Sequence, residues 1–100
     1  MFEQNGVTYT LKFTQQKLKT IETITKVSIV GEITRANGFM PYNILESLFS
    51  FALIEEQTKE VVKQSKATEM FEKVVEENGL ATTNMAIVEK LQEDLGFMFR

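Results

Sequence analysis

Residues 7–13, Val7-Thr8-Tyr9-Thr10-Leu11-Lys12-Phe13, alternate strictly between apolar and polar, the period-2 signature of a strand with one buried face. Asn5-Gly6 stands just before them. That dipeptide tolerates positive φ at both central positions, as a type I′ turn requires. With residues 1–4 as the partner strand, residues 1–13 are predicted to form a β-hairpin. Two strands alone are marginal in water, so Val7, Tyr9, Leu11 and Phe13 need a helical cover.

From Thr14 onward the period changes. Thr14 is placed to cap a helix over 15–26, with Leu18, Ile21 and Ile24 on one side. Residues 28–36 read as a short helix with Ile29, Val30 and Ile33 apolar, ended by Asn37-Gly38 as a left-handed cap. Pro41 suits a first helical position, having no N–H to lose, and the helix it opens is expected to run to about residue 57. Its Tyr42, Ile44, Leu45, Leu48, Phe49, Phe51, Ala52, Leu53 and Ile54 cover nearly the whole circumference. A helix apolar all round is buried, so this one is expected at the centre, or with one face against another subunit. Residues 58–64 are polar except for Val61 and Val62, and read as a helical extension or a connector.

Residues 66–77 give the cleanest amphipathic pattern: Ala67, Met70, Phe71, Val74 and Val75 follow the spacing of one helical face. Asn78-Gly79 ends that helix. Thr82 or Thr83 is expected to cap a last one through residue 95, with Met85, Val88, Leu91 and Leu95 inward. Gly96 stops it and leaves Phe97-Met98-Phe99-Arg100, an aromatic end either tucked into the core or offered to a partner. There is no repeat, low-complexity tract or linker. The expected fold class is α+β, mainly helical: one domain over 1–100, made of a β-hairpin (1–13), four or five helices (14–95) and an aromatic tail (96–100).

Composition narrows the chemistry. The chain has no Cys and no His, which excludes disulfides, thiolate metal sites and the commonest base for activating a nucleophile. Its serines have no histidine partner, and its five glycines fall in no phosphate-cradling spacing. Asp94 is the only aspartate, so no EF-hand loop can form. The glutamate pairs Glu55/Glu56, Glu72/Glu76 and Glu89/Glu93 lie among helical lysines and read as solvated faces rather than a general acid and base. No catalytic residue, cofactor or metal site is expected. The protein is expected not to be an enzyme.

Net charge is −3, divided as +1 over residues 1–50 and −4 over 51–100. Lys12, Lys17, Lys19 and Lys26 form the one basic cluster, interrupted by Glu22, whereas a nucleic-acid binder presents a basic stripe. A small nucleic-acid-associated regulator with a helical binding module is therefore the alternative reading, not the leading one. Met1-Phe2-Glu3 opens without a basic and apolar leader, and no uncharged run approaches the about 20 residues of a membrane span. The expected location is cytoplasmic, with neither membrane nor nucleic acid as partner.

From end to end the chain resembles the tail assembly chaperones of long-tailed, siphovirus-type phages and prophages of Gram-positive bacteria. The resemblance rests on Asn5-Gly6-Val7-Thr8-Tyr9-Thr10-Leu11-Lys12-Phe13, Ile21-Glu22, the Asn37-Gly38 break, the apolar helix over 45–55, Glu76-Glu77-Asn78-Gly79 and the closing stretch 91–99. It implies a non-enzymatic factor that self-associates as a homo-oligomer and binds the tape measure protein while tail tube subunits polymerise around it. The major tail tube protein is a second candidate partner. Such a factor works in the host cytoplasm and is absent from the finished virion. Surplus apolar surface for these contacts is expected at Phe49, Phe51, Phe97, Met98 and Phe99.

Overall fold

The computed structural model describes residues 2–35 and 38–99. The hairpin forms as expected: β1 (Phe2–Gln4) pairs antiparallel with β2 (Val7–Leu11), placing Phe2 opposite Tyr9 and Gln4 opposite Val7. Asn5 and Gly6 take φ of 53° and 79°, the two positive values of a type I′ turn. Tyr9, Leu11 and Phe13 are buried while Thr8 and Thr10 keep partial exposure, so the alternation does place one face inward.

Thr14 caps α1 (Gln15–Thr25) by accepting the Lys17 N–H at 3.1 Å. The helix closes at Lys26, whose φ of 64° turns its N–H back to the Glu22 carbonyl. α2 (Ile29–Arg35) starts with its backbone amides satisfied by side chains: Glu22 accepts from Ile29 at 2.8 Å, and Ser28 from Gly31 at 3.2 Å. Of the expected Asn37-Gly38 cap, Asn37 lies outside the described residues. Gly38 has φ of 87° and donates to the Ile33 carbonyl.

The central helix is shorter than its apolar run. α3 spans Tyr42–Ala52, with Pro41 as its N-cap, and the chain then extends into a third strand, β3 (Leu53–Glu55). The expectation of a helix to about residue 57 is corrected. β3 pairs antiparallel with β2, Leu11 opposite Leu53 and Tyr9 opposite Glu55, giving the order β1-β2-β3. Leu53 and Ile54 are buried in the strand, and the strand supplies hydrogen-bond partners to the open edge of β2. The far edge of β3 is met in turn by residues 60–62, through Glu55 N–H to Glu60 and Val62 N–H to Leu53. Residues 58–63 are thus a return from β3, not a helical extension.

α4 (Gln64–Asn78) and α5 (Leu80–Leu95) are joined by Gly79 alone. Gly79 has φ of 86° and ψ of 157°, a region essentially closed to other residues. Its N–H closes α4 on the Val75 carbonyl while its own carbonyl opens α5. Neither Thr82 nor Thr83 is a cap: Thr83 is buried inside α5 and its hydroxyl donates to the Gly79 carbonyl at 2.8 Å. A 3-10 turn, Gly96–Phe99, follows.

These elements give the α+β, mainly helical architecture, with one cluster of buried side chains. α3 is its axis, touching β2, α1, α4 and α5. Phe49 on α3 lies with ring centroids 5.4 Å from Phe2 of the sheet and 5.4 Å from Phe71 of α4. The inward assignment of Met85 is corrected, since it is 64% exposed, and Ile24, on the side of Leu18 and Ile21, is 57% exposed. The buried stripe of α5 is Thr83, Asn84, Ile87, Leu91 and Leu95, which rotates Met85 to the outside. Among the described residues, no helix is long and apolar enough to cross a membrane.

Candidate interaction surface

The five side chains expected to face partners separate. Phe49 is fully buried and is corrected to a core residue. Phe51 is half-buried and packs on the core. In the C-terminal turn Phe99 is half-buried against the core, while Phe97 is 48% and Met98 36% exposed. A 3-10 turn spaces successive side chains by about a third of a circle, so one of three can face inward while its neighbours do not.

A second apolar surface, absent from the sequence expectations, lies where α5 meets the loop before α3. Phe39 is 57% exposed. It borders an open groove of about 200 Å³ with Gly38, Asn84, Met85 and Val88. Asn84 holds that loop in place: its buried amide accepts the Met40 N–H at 3.0 Å and donates to the Gly38 carbonyl. The apolar wall of the groove is therefore fixed by a polar clamp. The outward signal was present in Gly38-Phe39-Met40-Pro41, a large aromatic between two chain-bending residues, but a loop position does not announce which way its side chain faces.

Two further grooves are shallow. One of about 290 Å³ runs between β1 and α4, lined by Phe2, Met70 and Val74 with Glu3, Lys73 and Glu77 at its rim. Another of about 370 Å³ lies between α1 and the C-terminal turn, bordered by Gln15, Leu18, Lys19, Glu22 and Met98.

Several charged groups hold parts of the fold together. Asp94, 6% exposed, accepts the Phe13 backbone N–H at 2.8 Å, with Lys90 at 3.3 Å and Lys12 at 3.9 Å. Burial lowers the Lys90 pKa, and the Asp94 and Glu93 carboxylates more than offset this, leaving it above the usual lysine value. Burial, then the charge of Lys12, pulls Lys17 below that value; Asp94 opposes both. Lys66 donates to the Tyr9 hydroxyl at 3.0 Å, and this bond keeps its ammonium above the ordinary range. Of the basic cluster Lys12, Lys17, Lys19 and Lys26, the first two are turned to the Asp94 junction. Among the described residues, no three His, Cys, Asp or Glu side chains stand together as metal ligands.

The chain matches no protein-family model, and comparison with curated proteins and with solved structures gave no match.

Proposed function

We propose that the chain is a non-enzymatic tail assembly chaperone that self-associates and binds a tape measure protein while the tail tube assembles. Two things support this reading. The resemblance runs through the chain from Asn5 to Phe99. And the core leaves large apolar side chains outside it: Phe39 and Met85 on one surface, Phe97 and Met98 on another. The second is the observation that carries the proposal, because exposed apolar clusters of this kind mark contact surfaces.

Binding of an elongated, aggregation-prone polypeptide demands what these surfaces offer, shallow apolar ground with adaptable methionines. It demands no catalytic group. The test is co-expression with a tape measure protein of a siphovirus-type phage, together with light scattering over a concentration series. Co-purification and a mass that grows with concentration are the expected results. A strict monomer at high micromolar concentration that fails to retain the tape measure product overturns the proposal.

A further inference from the structure

The two edges of the sheet are treated differently. Residues 60–62 meet the far edge of β3, whereas β1 has β2 as its one strand neighbour among the described residues. Register fixes what the outer edge of β1 offers. Thr8, opposite Glu3, turns its carbonyl away from β1 and accepts the Glu56 N–H at 2.9 Å. Opposite residues of an antiparallel pair either exchange both hydrogen bonds or direct them both outward, so Glu3 points its N–H and C=O away from β2. Neither meets another backbone group among the described residues. The same alternation puts the Glu3 side chain on the sheet face opposite to Phe2. Glu3 is exposed, and Phe2 is half-buried against Phe49. Beside this edge runs the groove of about 290 Å³, apolar at Phe2, Met70 and Val74, with two carboxylates, Glu3 and Glu77, against one ammonium, Lys73.

We propose that the β1 edge and this groove form a docking site for an extended, antiparallel strand of a partner that carries a basic side chain between apolar ones. The backbone of that strand pairs with the Glu3 N–H and C=O, the mode in which main-chain bonds hold an added strand and alternate side chains are read by the surface. Side chains on its inward face fall on Phe2, Met70 and Val74. The one between them stands on the opposite face, across from the Glu3 carboxylate, where Lys or Arg is favoured and an acid is repelled. The same charge selects against a second copy of the chain, because a twofold β1–β1 pair centred on Glu3 sets two carboxylates opposite each other. One N–H and one C=O are a weak handle in water, so the apolar groove supplies the rest of the affinity. The site rests on the edge and the groove, not on the tape measure reading, and shares no residue with the Phe39 groove or the C-terminal turn.

Chemical shifts of the isotope-labelled full chain test the site, the probe being a blocked heptapeptide of alternating valine and threonine with lysine at its centre. At millimolar peptide the Glu3 amide and the Val74 methyl groups are expected to shift, while Met85 and Phe97 stay still. Glutamate in place of the central lysine should weaken binding about fivefold, a difference that shrinks at high salt. N-methylation of the central residue removes the donor that faces Glu3 and should abolish binding. In Glu3→Lys, a change at an exposed position, the lysine and glutamate peptides should exchange rank. No shift at Glu3, equal binding of the lysine and glutamate peptides, or undiminished binding of the methylated one overturns the proposal. So does a Glu3 shift that follows dilution of the chain alone, which gives the edge to a second copy. The probe contains no tape measure sequence, so failure of that reading leaves these outcomes untouched.

Discussion

Phenylalanines stand two residues apart in two places, Phe49/Phe51 on α3 and Phe97/Phe99 in the C-terminal turn, and the two pairs meet different surroundings. Side chains two apart point about 200° from each other on an α-helix and about 240° in a 3-10 turn, so neither pair can turn both rings to the same side. α3 has the sheet, α1, α4 and α5 around it, and both its rings find cover: Phe49 wholly, Phe51 in part. The turn has the core on one side only, so Phe99 is half-buried and Phe97 stays outside. Aromatic density does not itself mark a contact surface. What decides is how many elements surround the segment.

The strongest way to break this contrast is truncation at each end of it. Phe49→Ala is expected to cost about 3–5 kcal/mol, as for other buried phenylalanines, whereas Phe97→Ala should stay within about 0.5 kcal/mol of wild type. Denaturant midpoints at constant slope measure both. Comparable losses would mean that the turn belongs to the core after all.

Asn84→Ala sharpens the contrast from the other exposed surface. Removing the clamp leaves the Met40 N–H and the Gly38 carbonyl without their partner, an expected loss of about 1–3 kcal/mol. Faster exchange at Met40 should accompany it. A silent Asn84→Ala would show that the Phe39 surface is held by apolar packing alone.

The smallest effect is electrostatic. The Lys90 pKa stands above its ordinary 10.5, so the folded state holds that proton more tightly. The contribution is complete below pH 10.5 and fades as pH rises through the higher folded value. Lys17 runs the other way: its folded pKa is below 10.5, so deprotonation relieves the fold as pH approaches that value. Lys90→Met should therefore flatten an alkaline decline in urea midpoint, and Lys17→Met should steepen it. If both variants change the alkaline slope in the same direction, the junction at Asp94 is wrongly described.

What could be read along the chain was what local chemistry decides. Asn5-Gly6, the alternation of 7–13, the Thr14 cap and the Met70/Phe71/Val74 stripe rest on neighbours within a few residues, and each took the expected form. The end of α3 was not legible, because Phe51-Ala52-Leu53-Ile54 suits a buried helix or a buried strand equally. The choice was made by the open edge of β2, some forty residues away. Met85 misled for a related reason: its spacing fits the stripe, but polar Asn84 takes the inward position to hold a distant loop. Asp94 carried a faint signal, the only aspartate of the chain set in the last turn of a helix. Its partner Phe13 could not be inferred from spacing.

That pairing also sets an order of events. The Phe13 N–H and the Asp94 carboxylate are separated by 81 residues, and closing a loop of that length costs about 4 kcal/mol of chain entropy before any contact repays it. On the ribosome the hairpin can form as soon as its own residues emerge. The residues that follow β2 then wait for α5, so the sheet, completed by β3, is in place before the Phe13–Asp94 seam closes, and a chain halted during synthesis at the α4–α5 joint would hold a finished sheet beside an unfinished seam.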